Sequence, residues 1–316
     1  MEFYNLGNYE VSGTGINKFN VGLPPTASKT KYLTALLVYV NCVGESGGEL
    51  TKKIFMSETC KQINLYMNNR LVVDNLDGES LDRLNKFYAG LQFPNYSTPS
   101  VPVAGAYDKI FLIQIPFSFS TMTDKYDLAK SINQIHSLSL EYKKGNLDGL
   151  TSMTLKVVAV VEERENEYIA PEMRIRKFTI SKQISDTIQI SNRVLAGFWQ
   201  LPAEGSLDDI AIIRTTRKTV LDNLPLSTLN TNRSLPVVYD DLQTSDLNYL
   251  YVVPSFDLPI SLKKPSFFEG ENIFFDDLST TNSPFNFVLV EVMPAESTAS
   301  GEPVLDSRIS PVKVNA

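Results

Sequence analysis

The chain has 316 residues, 43% hydrophobic and 21% charged, which excludes a disordered chain, a collagen-like fibre and a long coiled coil. Its formal net charge of −7 and pI of about 5.0 argue against tight sequence-independent binding to nucleic acid. No run of ~18 or more apolar residues occurs, so no membrane span is expected.

The predicted elements follow in chain order. Residues 1–30 read as an irregular arm, punctuated by Gly7, Gly13, Gly15, Gly22 and the Pro24-Pro25 pair. Its first residues lack the basic start and apolar stretch of a signal peptide. Tyr32 to Val40 is too apolar for a half-exposed helix, and its β-branched and aromatic content predicts a buried strand. Gln62 to Asp74 reads as a second strand region. Leu81, Leu84 and Tyr88 fall at helical spacing and predict a short helix over Leu81–Tyr88. Gln92 to Gly105 carries three prolines and reads as a long surface loop. Ile110 to Phe119 is an apolar strand, and Pro116 marks it as an edge or a bend. Ile135 to Tyr142 alternates, with His136, Leu138, Leu140 and Tyr142 on the inward face. Leu155 to Val161 is a continuous apolar strand, and the charged run Glu162–Glu167 after it marks a boundary. In the second half, strands are predicted at Arg176–Ile190, Ile210–Leu221, Tyr249–Val253 and Phe285–Val292. The segment from Pro294 to Ala316 reads as a loose tail.

An internal repeat organises these strands. Asp74-Asn75-Leu76 recurs as Asp222-Asn223-Leu224, and the same shift of 148 places Val72 on Val220 and Leu65 on Ile213. It also places Tyr32, Leu36, Val40 and Cys42 on Ile180, Ile184, Ile188 and Ile190. The expected organisation is an N-terminal arm at 1–30, a first β domain at 31–165, a second at 175–296 and a C-terminal tail at 297–316. Strand spacing and the lack of long helices favour an all-β fold. Two tandem eight-stranded jelly-roll barrels, with one or two short helices, fit the length.

The chemical inventory is sparse. One histidine, His136, is present in the whole chain. A triad would need a nucleophile and an orienting carboxylate beside it, and its place in an apolar strand reads instead as a core or interface histidine. Cys42 and Cys60 are too few for a disulfide framework and read as reduced thiols with packing roles. The Asp and Glu doublets, such as Glu162-Glu163, would project to opposite faces of a strand, so none is by itself a glycosidase pair. Asp74–Glu79 resembles part of a calcium loop, yet Asp77 capping the following helix explains it as well. Phosphate-loop, dinucleotide and zinc spacings are missing. The chain is expected to be no enzyme, with no catalytic residue, cofactor or metal.

The paired strands Tyr32–Cys42 and Phe178–Ile190, the Asp-Asn-Leu pair, the helix at Leu81–Tyr88 and the connector Glu162–Glu167 carry a resemblance. Over about residues 31–294 the chain resembles double jelly-roll major capsid proteins, particularly those of tailless icosahedral bacteriophages with an internal membrane, such as the Flavobacterium-infecting lipid-containing phage. Its second half departs from the pattern at Leu226–Leu235, flanked by Pro225 and Pro236, where the first half has its helix. The resemblance implies a structural protein whose homotrimers form pseudo-hexagonal capsomers tiling an icosahedral virion. It implies contacts with neighbouring capsomers, with other capsid proteins such as the penton, and with inner-membrane lipids, and no direct contact with nucleic acid. Synthesis would be in the host cytoplasm. On this reading Met1–Thr30 is an assembly arm, with Phe3, Tyr4, Leu6 and Tyr9 packing on a neighbour or on lipid headgroups; a merely disordered terminus is the competing reading. Two other functions compete. A carbohydrate-binding or glycan-degrading β-sandwich protein has only Trp199 as an indole platform, and a phage spike or adhesin component would form fibres rather than tiles.

Overall fold

The computed structural model describes residues 1–25, 30–48, 52–78, 80–81, 104–117, 119–120, 125–126, 129–164, 168–169, 172–180, 187–189, 193–200, 212–215, 219–221, 249–252, 272–276, 285–293 and 312–313. The chain divides into two compact units. The first comprises Met1–Ser120, Lys125–Glu172 and Ala295–Ala316; the second comprises Thr121–Asp124 and Met173–Pro294.

The first unit opens with β1 (Glu2–Glu10), β2 (Asn17–Asn20) and β3 (Lys31–Ser46). A helix, α1 (Lys52–Thr59), leads to β4 (Gln62–Met67), β5 (Arg70–Leu76) and β6 (Gly105–Pro116). Short strands β7 (Phe119–Ser120), β8 (Lys125–Tyr126) and β9 (Lys130–Ser131) precede β10 (Leu138–Lys143), β11 (Leu150–Glu163) and β12 (Tyr168–Ile169). Four antiparallel pairs are nested: β1 with β11, β2 with β10, β3 with β6 and β4 with β5. Further pairing of β11 with β3 and of β10 with β4 gives the strand orders β1-β11-β3-β6 and β2-β10-β4-β5. This is one long hairpin folded back on itself, the jelly-roll order.

The second unit repeats that order. Its strands are β13 (Glu172–Ile180), β14 (Thr187–Gln189), β15 (Arg193–Gln200), β16 (Ile212–Thr215), β17 (Thr219–Leu221), β18 (Tyr249–Val252), β19 (Asn272–Asp276) and β20 (Phe285–Met293). They run β13-β20-β15-β18 and β14-β19-β16-β17. Each unit therefore carries two runs of four strands in the same nested sequence, as expected for a tandem pair of jelly rolls.

The residues explain the strands. Every residue from Tyr32 to Val38 is buried, as are Val157 to Val161, so the middle strands of the first run are covered on both faces and read as continuous apolar stretches. In β10 only Leu138, Leu140 and Tyr142 are buried while their neighbours are partly exposed, the pattern of a strand with one face on the core. Phe55 of α1 meets Phe111 of β6 edge to face at 6.0 Å between ring centres, and both rings are 2% exposed or less. Full burial of each such side chain is worth ~1.5–3 kcal/mol. The Tyr142 hydroxyl, buried in this core, donates to the Thr59 carbonyl at 2.8 Å and fixes the end of α1. In β3 the extra residue Thr34 forms a bulge opposite Val160 and Val161. Its hydroxyl donates to the Val160 carbonyl at 3.1 Å, which satisfies a polar group that is otherwise buried.

Several expectations are corrected. Residues 1–30 are not an irregular arm: β1 and β2 lie within them and are the first two strands of the first jelly roll. Their alternation was obscured because β1 shifts register between Asn5 and Gly7, which breaks the period of two. Helix α1 was not anticipated, because Ile54, Phe55 and Met56 are consecutive rather than spaced at three or four. The strand region Gln62–Asp74 is a hairpin. Asn68 and Asn69, with φ of 52° and 63°, form the two-residue turn in which both central residues are left-handed. Arg176–Ile190 divides between β13 and β14, and Ile210–Leu221 between β16 and β17.

His136 precedes β10 and is exposed. Its backbone N–H donates to the Asn68 Oδ1 at 2.7 Å. The alternation starts at Leu138, after the 3-10 turn Ile132–Gln134, so its phase does not extend back to His136. Of the predicted helix Leu81–Tyr88, Leu81 is helical and the remainder lies outside the described residues. The Asp77 carboxylate accepts the Ser80 N–H at 2.7 Å, as a helix cap does. Within the expected loose tail, β21 (Val312–Lys313) pairs antiparallel with β12.

The repeat is also sharpened. Leu65 and Ile213 lie on β4 and β16, the fourth strands of their units, and Val72 and Val220 lie on the fifth, β5 and β17. Tyr32–Cys42, however, belongs to β3, a third strand, whose counterpart by order is β15 and not the segment 180–190.

Candidate assembly surface

The four predicted arm residues all fall on β1, and the strand divides them. Glu2 and Tyr4 share a face; Lys31 of β3 reaches the Glu2 carboxylate at 2.9 and 2.7 Å and the Tyr4 hydroxyl at 3.3 Å. The same ammonium lies 5.9 Å from the centre of the Tyr4 ring, and the Tyr4 hydroxyl also donates to Glu2. The Lys31 and Tyr4 hydrogen bonds hold the Glu2 carboxyl below its ordinary range. Leu6 is buried in the core. Tyr9 stacks at a tilt on Phe19 with ring centres 4.9 Å apart, and its hydroxyl donates to the carbonyls of Leu6 and Asn20 at 3.2 and 3.1 Å. These contacts and the Gly22 N–H bond to the Leu6 carbonyl, 3.1 Å, join β1 to the β2 segment. Three of the four residues are thus engaged within the chain. Phe3 is 59% exposed.

Phe3 does not stand alone. Four of the five large hydrophobic side chains described as exposed, namely Met1, Phe3, Ile16 and Leu23, come from the first 25 residues; Ile110 is the fifth. Register places Phe3 opposite Val160, Val160 opposite Ala35 and Ala35 opposite Pro116, and directly opposed residues share a face. Ala35, Leu37, Val158 and Val160 form a buried cluster on that face, with Tyr39 and Leu112 packed against it. Ile110, opposite Asn41, ends the same face. Sequence reasoning missed Met1, Ile16, Leu23 and Ile110, because exposure of a single apolar residue leaves no local pattern.

A second surface is polar. Glu141 of β10 pairs with Lys18 of β2 at 2.7 Å and accepts from the Asn64 amide at 3.0 Å and the Tyr66 hydroxyl at 3.4 Å. Lys18 first, then Asn64, hold the Glu141 carboxyl below the ordinary range. Every partner in this network lies on the neighbouring strands β2 and β4, so it ties strands together.

The reactive side chains are placed for packing. Burial pushes the Cys42 thiol up to about 12, which keeps it protonated and a poor nucleophile at neutral pH. Cys60 is buried as well. Among the described residues no group of three or more His, Cys, Asp and Glu side chains could hold a metal ion. No helix among them is long and apolar enough to cross a membrane.

No protein-family model matches the chain, and no curated protein matches it. Solved structures do match, over nearly the whole length. The crystal structure of the STIV major capsid protein is 10% identical and superposes with a TM-score of 0.63, covering 92% of this chain and 95% of that one. The major capsid protein P2 from bacteriophage PM2 is 10% identical with a TM-score of 0.57, covering 94% and 98%. The fold is a double jelly roll. PBCV-1 VP54, fitted into a reconstruction of the virophage Sputnik, shares that double jelly roll at 11% identity and a TM-score of 0.59, covering 92% of each chain. At these identities the likeness is one of strand order and not of site residues, so the double jelly roll is the level at which the proteins correspond.

Proposed function

We propose that this chain is the major capsid protein of an icosahedral virus, a structural protein of the virion and not an enzyme. The observation that carries the reading is the duplicated strand order, matched end to end by major capsid proteins. Two units with one topology, taken three times, give six similar barrels. A homotrimer of such chains makes a pseudo-hexagonal capsomer, and identical tiles of that outline cover a shell with one protein. In the fuller form of the proposal the shell encloses an internal membrane, other capsid proteins such as a penton close its vertices, and the chain is made in the host cytoplasm.

Phe3, flanked by Met1, is the residue of the predicted contact set that we assign to a neighbouring capsomer or to lipid headgroups. Leu6, Tyr4 and Tyr9 hold the strand that presents it. Covering the exposed part of Phe3 would contribute about 1 kcal/mol per copy, small singly and large when repeated over a shell. The test is light scattering on the purified chain over a concentration series. A trimer is expected, with larger assemblies at high concentration that Phe3→Ser weakens without shifting the thermal midpoint. A strict monomer at all concentrations would overturn the capsid reading; larger assemblies unaffected by Phe3→Ser would overturn the assignment of Phe3 to a neighbouring capsomer alone.

A further inference from the structure

We draw no further inference here: the strongest candidate, the apolar outer face of the β1-β11-β3-β6 run that passes from Phe3 through Val158 and Leu37 to Ile110, is buried at its centre and exposed at its ends, and nothing in the structure shows what covers it.

Discussion

The first strands of the two units occupy the same place in the same strand order, and each carries an ion pair, one exposed and one buried. β1 carries the Glu2–Lys31 ion pair, whose side chains are 46% and 20% exposed. β13 is held to β20 by Arg176 and Glu291, whose side chains are 13% and 0% exposed. That second pair is two-pronged: Nε donates to Oε2 at 2.5 Å and Nη2 to Oε1 at 2.7 Å. The Arg176 guanidinium also lies 4.8 Å from the centre of the Phe178 ring. A charge in water is solvated whether or not it is paired, whereas a buried one depends on its partner. The same kind of interaction thus occurs at both first strands, and local burial decides how costly its loss becomes.

This contrast fixes the size of the responses. The largest is expected at Glu291. Glu291→Ala leaves the largely buried Arg176 guanidinium without the carboxylate it pairs with and lowers unfolding stability by about 3–5 kcal/mol, as for other broken buried pairs. The double variant Arg176→Met, Glu291→Leu recovers most of that loss in denaturant titration, because no charge is then left unpaired. A double variant no more stable than Glu291→Ala would show that burial of charge is not what separates the two units.

An intermediate response belongs to Glu141, whose side chain is 16% exposed. Its folded-state pKa lies below the unfolded value because Lys18 and Asn64 stabilise the carboxylate. Its contribution is therefore complete above the ordinary carboxylate range and is lost as pH falls through the depressed folded value. Thermal midpoints measured from neutral to acid pH should fall less steeply for Glu141→Gln than for the parent chain. Equal slopes would contradict the assignment. The smallest response is expected at Glu2. Glu2→Ala should leave the thermal midpoint of the first unit unchanged at physiological salt, where exposed pairs are screened. A large drop would mean that β1 is held by this surface pair and not by Leu6 and the β11 ladder.

The sequence made the architecture readable where burial is complete. Tyr32–Val40 and Leu155–Val161 pass through the middle of a strand run and are apolar on both faces, so no periodicity is needed to recognise them. The strands at the rim were harder. β1 buries only Leu6 among its nine residues, and the bulge at Gly7 resets its phase, so the arm reading was the natural error. The left-handed pair Asn68-Asn69 did carry a hairpin signal, since asparagine tolerates that conformation better than most residues. The candidate surface was legible only at Phe3. Leu6 and Tyr9 look alike in a one-dimensional pattern of apolar residues, and only the contacts with Gly22, Phe19 and Asn20 show that they face inward or sideways. His136 failed for a related reason: the alternation of β10 is real, but its start is set by the preceding 3-10 turn.

The role proposed for this duplicated jelly roll is that of a shell-building protein. Electron microscopy of the purified, concentrated protein tests it most directly. The account predicts compact particles of hexagonal outline, each made of three chains, and flat or curved arrays of them. Isolated single chains, or elongated fibres, would contradict it.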